Sequence, residues 1–259
     1  MTAYYFISVN YKTSHEIENW ATNIRNLKPN ANLYIVDSFS NEEEKKRTSD
    51  ICRTLQIELL YSENLGYGNS LNIGLDAAKR DAANEIDSSI FVFGNLDVAY
   101  MLLPDETQSQ HSAYALMPDV MEGTRNRNPF MTKLQRKFAW LYWPAAKAKS
   151  NTLFLLAALT IKILGKIPSK AYACHGSVFC LNGLALKKID EPIFNKKSFL
   201  YWEEIDYADL LNKHKIPLIK SKIAAKHARN ASTFELARSR QNIINYWAAS
   251  YENWIERYQ

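Results

Sequence analysis

The chain has 259 residues, of which 47% are hydrophobic and 12% aromatic, so it has enough apolar material for a sizeable core, and intrinsic disorder is excluded. Eight glycines and eight prolines are few for a turn-dense all-β protein, and three cysteines do not make a disulfide framework but suit reduced thiols in a cytosol. The net charge of +5 is concentrated, because residues 124–188 contain no Asp or Glu, and this predicts an anionic partner such as nucleic acid, a phosphorylated substrate or an anionic lipid surface.

Short apolar runs alternate with amphipathic stretches in the first hundred residues, which is typical of β-α-β units and a mostly parallel sheet. Thr13 with Glu16, and Ser40 with Glu43, predict capping boxes at two helix starts. We predict strands over 4–10, 33–37, 57–61 and 89–93, and helices over 14–28, 40–55 and 69–80.

The second half of the chain is less regular. We predict irregular or β-like structure over 98–122, two helices over 133–143 and 151–167, strands over 171–181 and 216–227, and a helical tail from Ser232. The simplest organisation is a single domain spanning 1–259. Its parts are a first half (1–97), a second half (98–230) with a basic helical insertion at about 125–170, and a tail (231–259).

Polar residues follow each of the first four predicted strands, namely Asn10, Asp37, Asn64 and Asp97. In parallel α/β sheets ligands bind beyond the carboxyl ends of the strands, so we expect these side chains to converge. Asn95 and Asp97 are two residues apart in GNLDV and are expected to point the same way. A simple turn is the alternative interpretation of this motif.

Seven motifs in this order resemble those of family-2 inverting glycosyltransferases with the GT-A fold. They are VNY, IVDSFS, ENLGYGNSLNIGL, GNLDV, HGSVF, FLYWEEIDY and KHARNAS. The pattern is most similar to bacterial rhamnosyl- and galactofuranosyl-type enzymes of O-antigen and cell-wall polysaccharide synthesis. It covers about residues 4 to 230, and the basic insertion matches least well.

The resemblance makes 1–97 the expected nucleotide-sugar-binding half and 98–230 the expected acceptor and catalytic half. It also implies a donor and metal site. Asp97 corresponds to the last Asp of the family's D-x-D motif and would hold Mg²⁺ or Mn²⁺ together with His227, while Asn95 replaces the first Asp and removes one charge. Around the donor, the resemblance assigns nucleotide-sugar contacts to Val9, Asn10, Asp37, Asn64, Gly66 and Asn72. The expected donor is a UDP- or dTDP-sugar.

The resemblance also implies a catalytic base. Glu204 aligns with the second acid of the family's E-D-x-D segment, and the neighbouring Glu203 is a substitute because Glu is one methylene longer than Asp. We expect both acids in an extended segment that follows an aromatic strand over 199–202. Trp202 is expected to stack on a sugar, and His175 is expected to line the acceptor site. Packing inside the core is the alternative for both residues.

The expected acceptor is a saccharide on a polyprenyl diphosphate. The insertion combines basic residues with Trp140, Trp143 and an apolar helix, which favours a peripheral position on the inner face of the plasma membrane, in the cytoplasm. A packed helical pair with a solvated basic face is the alternative. Nucleic acid is not expected, because no nucleic-acid-binding motif accompanies the charge. The competing functions are a non-catalytic membrane scaffold and a sugar-nucleotide nucleotidyltransferase.

Overall fold

The computed structural model describes residues 2–38, 41–103, 112–228 and 240–258. The strands are β1 Ala3–Asn10, β2 Asn32–Ser38, β3 Glu58–Ser62, β4 Ser89–Gly94, β5 Val98–Leu102, β6 Ala115–Glu122, β7 Arg125–Asn126, β8 Met131–Thr132, β9 Ala171–Ala173, β10 Val178–Asn182 and β11 Leu218–His227. The α-helices are α1 Ser14–Leu27, α2 Glu42–Thr54, α3 Tyr67–Asp81, α4 Lys133–Lys137, α5 Trp143–Ala148, α6 Asn151–Leu164, α7 Gly183–Lys188, α8 Glu203–Lys213 and α9 Arg240–Tyr258.

Within the described residues, nine strands form one sheet in the order β3-β2-β1-β4-β10-β6-β11-β5, with β7 paired to β6. Strands β3, β2, β1 and β4 are parallel neighbours. Strand β10 is antiparallel to both β4 and β6, and β11 is parallel to β6. Six of these nine described strands therefore run in one direction, and the predicted α/β class with a mostly parallel sheet is confirmed.

Strand β1 shows why the sheet is covered by helices on both faces. Its side chains alternate between the two faces of the sheet. Tyr4 and Phe6 pack into the core under α1 and α2, whereas Tyr5 and Ile7 pack into the core under α3 and α8. A strand with both faces buried is typical of sheets in three-layer α/β proteins. Among the described helices, none combines the length and the hydropathy needed to cross a membrane.

The helix starts in the first half differ from the prediction in their caps. Thr13 does precede α1, but its hydroxyl donates to Asn10 Oδ1 at 3.1 Å, so no side-chain cap forms there. Helix α2 is capped by Asn41, whose Oδ1 accepts a hydrogen bond from the backbone N–H of Glu44 at 2.9 Å. Ser40, for which the capping box was predicted, lies outside the described residues.

In the second half three predicted elements are divided or replaced. The strand predicted over 171–181 is interrupted by a turn between β9 and β10 that contains His175 and Gly176. The helix predicted over 133–143 becomes α4, a 3₁₀ turn over Ala139–Tyr142 and the start of α5. Residues 199–202 are not a strand, and Glu203 begins helix α8. The tail is helical from Arg240, and its predicted start at Ser232 lies outside the described residues.

Asp209 of α8 joins the insertion and the tail to the rest of the molecule. Its buried carboxylate accepts hydrogen bonds from Arg136 Nε at 3.1 Å and Nη2 at 2.7 Å, from Trp254 Nε1 at 2.7 Å and from the Tyr172 hydroxyl. The guanidinium of Arg136 also lies 4.6 Å from the centre of the Trp254 ring. One carboxylate therefore connects α4, β9 and α9 to α8.

Replacing Asp209 with Ala should lower the free energy of unfolding by about 3–5 kcal/mol, because a buried guanidinium then loses its partner. Urea unfolding followed by circular dichroism measures this change. Asp50→Ala is the matched control, since its pair with Arg53 is solvent-exposed and is worth at most about 1 kcal/mol. Equal effects of the two substitutions would contradict a linking role for Asp209.

Candidate functional site

A cleft with about 590 Å³ of free space lies beyond the carboxyl ends of β1, β2 and β4. Its walls come from the ends of these strands, from the turn between β3 and α3, and from the segment that precedes α8. The lining residues are Val9, Tyr11, Thr13, Ser38, Asn64, Gly66, Tyr67, Asn95, Leu96, Asp97, Phe199 and Leu200. The predicted residues Val9, Asn64, Gly66, Asn95 and Asp97 are therefore brought together here.

Gly66 determines how the turn after β3 closes on the cleft. Its φ is +98°, and a Cβ at this position would collide with the carbonyl oxygen of Phe199. The backbone N–H of Tyr67 donates to that same oxygen at 3.1 Å. Glycine is required because both the left-handed conformation and the close approach exclude a side chain.

Asn10 and Asp37 lie beneath the cleft and do not line it. Asn10 Nδ2 donates to Asp37 Oδ1 at 2.8 Å and to Thr48 Oγ1 at 3.0 Å, and both Asn10 and Asp37 are almost fully buried. Asn10 Oδ1 accepts from the backbone N–H of Thr13 at 2.9 Å. The two residues hold the ends of β1 and β2 together under the cleft, while Val9 and Ser38 face it.

Asn95 and Asp97 directly follow the carboxyl end of β4. The Tyr67 hydroxyl donates to Asn95 Oδ1 at 2.8 Å, and the Asn95 backbone N–H donates to Ser177 O at 3.1 Å. Burial raises the pKa of Tyr67 well above its ordinary value, and the charges of Glu203, Asp97 and Glu204 add to the effect. Tyr67 therefore lies close to Glu203, Asp97 and Glu204. No sequence pattern indicated this position.

His227 sits between two carboxylates. Its Nε2 lies 3.3 Å from Asp97 Oδ1, and its Nδ1 lies 3.0 Å from Glu122 Oε1. Burial alone would lower the pKa of His227, but hydrogen bonds and charges from Asp97 and Glu122 outweigh it and raise the pKa. The cause of this proximity is strand pairing, because β11 places His227 opposite Val98 and Lys226 opposite Met121.

Glu122 is the residue of this cluster that sequence reasoning missed. It ends β6 just before the turn at Gly123, and its Oε2 also pairs with Arg127 Nε at 3.0 Å. Its side chain is only 7% exposed. A buried carboxylate of this kind needs partners, but a lone Glu at a strand end gives no sequence signal that identifies them.

His175 joins the same cluster. Its ring centre is 5.7 Å from that of His227, and its Nε2 is 3.7 Å from Glu122 Oε1. The Ser177 backbone N–H donates to His175 Nδ1 at 3.3 Å, so in the neutral ring the proton is on Nε2, which faces Glu122. His175 was predicted to line an acceptor site, and the structure puts it beside the predicted metal ligand His227.

Glu203 and Glu204 occupy the first turn of α8. Glu204 lies against the turn between β9 and β10, so closely that a Cβ at Gly176 would be 2.5 Å from Glu204 Oε1. Burial raises the pKa of Glu204, although hydrogen bonds from its own backbone and from that of Gly176 oppose the rise. Burial, with the charge of Glu204, raises the pKa of Glu203 to about 8. Glu203 Oε1 is buried and has no hydrogen-bond partner among the described residues.

The extended segment expected for these acids was wrong. In an extended chain their side chains would point to opposite sides, whereas in helix α8 consecutive residues are about 100° apart. Glu203 lies near Gly68 of α3, and Glu204 lies against Gly176. The chain turns into the helix at Tyr201 and Trp202, whose φ values are positive, at 74° and 70°. Such conformations are costly for non-glycine residues and are held by surrounding contacts.

Two predicted ligand contacts lie in packing positions instead. Trp202 is buried, stacks on Trp254 with ring centres 5.2 Å apart and meets Tyr251 edge-on, so it offers no open face for a sugar. Asn72 of α3 donates to Phe194 O at 2.8 Å and accepts from Phe194 N at 3.1 Å. It connects α3 to the chain before α8 and lies outside the cleft.

Residues from the ends of β4, β6 and β11 and from the turn between β9 and β10 fit a divalent cation. The possible ligand atoms of Glu122, His175 and His227 all lie within 4.8 Å of one another, and Asp97 Oδ1 is next to His227 Nε2. Carboxylate oxygens and an imidazole nitrogen are ligands that suit Mn²⁺, and the carboxylates suit Mg²⁺. Asp97 and His227 already lie near the spacing of about 3 Å expected for neighbouring ligands of one such ion.

The sequence matches no protein-family model, and it matches no curated protein significantly. Its fold does match solved structures. TarS from S. aureus has 12% sequence identity and a TM-score of 0.51 over 87% of this chain, which spans only 36% of that protein. The mannosyltransferase PcManGT from Pyrobaculum calidifontis, in complex with GDP-Man and Mn²⁺, has 14% identity and a TM-score of 0.51, with coverage of 97% of this chain and 64% of that one.

A third match is glucosyl-3-phosphoglycerate synthase from Mycobacterium tuberculosis in complex with phosphoglyceric acid. It has 13% identity and a TM-score of 0.50, with coverage of 99% of this chain and 80% of that one. At these identities the likeness concerns the fold alone. The α/β architecture is therefore of the GT-A type, as the motifs predicted.

Replacing Glu203 with Gln should raise the thermal midpoint of unfolding at pH 7 to 8. Because the folded-state pKa is about 8 and the ordinary value for Glu is about 4.3, the folded protein keeps a proton that the unfolded chain loses. Stability therefore falls as pH rises through this window. Gln carries no such proton, so the difference in midpoint should shrink towards zero near pH 4.

Differential scanning fluorimetry across pH 4 to 8 measures the effect, and the exposed residue Glu63 offers the control Glu63→Gln. A difference in midpoint that does not change with pH would contradict the burial of an uncompensated carboxyl at position 203.

Proposed function

We propose that the protein is a metal-dependent inverting glycosyltransferase, which moves a sugar from a nucleotide diphosphate to an acceptor hydroxyl. The observation that carries the proposal is the meeting of Asp97 and His227, which are 130 positions apart in sequence, beside the cleft. A strand-end carboxylate and an imidazole suit a site for a diphosphate-bound cation. Glu203 and Glu204, at the start of α8, suit a proton acceptor.

The donor binds in the cleft in this proposal. Val9, Ser38 and Asn64 line the region that would receive the nucleoside, with Gly66 giving the backbone room to approach. The donor is of the UDP or dTDP type, as the sequence motifs imply, and the GDP-mannose complex of PcManGT makes a GDP-sugar a necessary comparison. Asp97 and His227 would hold Mg²⁺ or Mn²⁺. The cation supplies positive charge that stabilises the departing diphosphate.

Glu204 is the proposed base. It removes the proton of the acceptor hydroxyl while the acceptor oxygen bonds to the anomeric carbon and the bond from that carbon to the diphosphate oxygen breaks. Attack from the face opposite the leaving group inverts the configuration. The backbone N–H of Gly176 supports the orientation of Glu204, and Glu122, hydrogen-bonded to His227 Nδ1, orients the imidazole so that Nε2 faces Asp97, as second-layer carboxylates commonly do at metal sites.

The proposed acceptor is a saccharide carried on a polyprenyl diphosphate, and the proposed pathway is the assembly of a bacterial surface polysaccharide such as O-antigen. The sequence motifs shared with rhamnosyl- and galactofuranosyltransferases support this assignment. A panel of UDP-, dTDP- and GDP-sugars, assayed for nucleotide release with and without an acceptor, tests the reaction. Release of nucleotide from none of them would favour a non-catalytic scaffold.

Exhaustive chelation with EDTA should abolish nucleotide release, and Mn²⁺ or Mg²⁺ should restore it. His227→Gln should raise the metal concentration needed for half-maximal activity by at least about tenfold, because one ligand is lost. The control is His15→Gln, at an exposed histidine of α1. Full activity after chelation would remove the metal from the mechanism.

Glu204→Gln should lower turnover by about 10²–10⁴-fold, the usual contribution of a general base, with donor binding unchanged because the cleft is intact. Glu203→Gln should lose less. Turnover by both variants is measured as nucleotide release, and donor affinity by calorimetry. If Glu203→Gln is inactive while Glu204→Gln is normal, Glu203 is the base. Normal activity of both would refute the mechanism.

A further inference from the structure

Helix α6 is apolar on the side that packs against the protein and also on the side that faces solvent. Ala157 and Ile161 are buried against the rest of the insertion. We define the outer face of α6 as the apolar side chains that point away from this contact, together with Ile167 just beyond the helix. It consists of Leu155, Leu156, Leu159, Ile163 and Ile167, each 50–56% exposed.

A surface helix of a water-soluble domain normally presents polar residues to solvent, and a helix that is apolar all round is normally buried or in lipid. The outer face of α6 departs from this rule. Trp140 and Trp143, which precede α6 in the sequence, are 60% and 42% exposed. Exposed apolar side chains grouped in this way indicate an interaction surface.

The charges around the outer face of α6 indicate which kind of partner it binds. The helical spacing puts Lys162 on the same side of α6 as Leu155 and Leu159, Lys166 follows in the turn just after the helix, and both lysines are exposed. Residues 124–188 contain no acidic side chain that would neutralise them. We propose that the outer face of α6 inserts its leucines and isoleucines into the interfacial region of an anionic lipid membrane, with the lysines at the level of the headgroups.

Other occupants fit the same observations less well. A symmetric second copy would cover Lys162 and Lys166 with a surface whose own 124–188 stretch offers no acidic side chain to pair with them. Nucleic acid would account for the lysines but not for the exposed leucines. The helix has 14 residues, fewer than the roughly 20 needed to span a bilayer, so it would lie in the membrane surface.

The insertion that carries α6 begins and ends at the candidate functional site. Arg127 pairs with Glu122 at its start, and at its end the His175 backbone N–H donates to Asn128 Oδ1 at 2.6 Å. Gln135 Nε2 donates to Ile161 O at 3.0 Å and so ties α6 to α4. Docking of the outer face of α6 would therefore hold the site near the membrane.

The proposal does not depend on sugar transfer, since it concerns a surface and no donor is needed to test it.

Co-sedimentation of the purified chain with vesicles tests the proposal. The wild type should sediment with phosphatidylglycerol vesicles at low salt, bind phosphatidylcholine vesicles weakly, and be partly released as salt rises because the attraction is screened. Leu156→Gln with Leu159→Gln should weaken binding at least about tenfold. The matched control is Met101→Gln with Leu102→Gln, which changes two similarly exposed apolar residues of the edge strand β5.

The charge is tested separately. Lys162→Ser with Lys166→Ser should weaken binding to anionic vesicles, whereas Lys46→Ser with Arg47→Ser, the same change of charge on α2, should not. Equal recovery of the wild type in the supernatant with both kinds of vesicle would overturn the proposal, as would undiminished binding by the leucine variant. Analytical ultracentrifugation that finds a lipid-independent dimer, dissociated by the leucine variant, would instead assign the face to a second copy.

Discussion

The position of β11 between β5 and β6 is the constraint on which the candidate site depends. Its antiparallel pairing with β5 sets His227 opposite Val98, and its parallel pairing with β6 sets Lys226 opposite Met121. The imidazole consequently falls between Asp97 and Glu122. A shift of one residue would turn the imidazole to the other side of the sheet, because side chains alternate along a strand.

Helix α8 combines a structural role with a chemical one. Asp206 accepts a hydrogen bond from Arg257 Nη1 at 2.7 Å, and Asp209 is surrounded by Arg136, Tyr172 and Trp254. These two carboxylates connect α9 and the insertion to α8. In the first turn Glu203 and Glu204 have no ion pair with a cation among the described residues, and burial raises their pKa values.

The insertion and the site are parts of one arrangement. The chain leaves the sheet at the Glu122–Arg127 ion pair and returns at His175, after forming α4, α5 and α6. The turn that ends it contains Gly176, against which Glu204 lies. The outer face of α6, for which membrane binding is proposed, is thus connected to both the histidine cluster and the proposed base through short segments of backbone.

The sequence by itself determined the elements of the first half, because apolar periodicity and turn residues act within a few positions. It also determined that Asn64, Gly66, Asn95 and Asp97 meet at one edge, since parallel strands end on the same side of a sheet. Tertiary structure alone decided the roles of Tyr67, Glu122 and Trp202. Each depends on a partner far along the chain: Tyr67 on Asn95, Glu122 on His227, and Trp202 on Trp254. Local pattern cannot report such pairings, because burial and hydrogen bonding at these positions arise from packing between segments that the sequence separates by 28 to more than 100 residues.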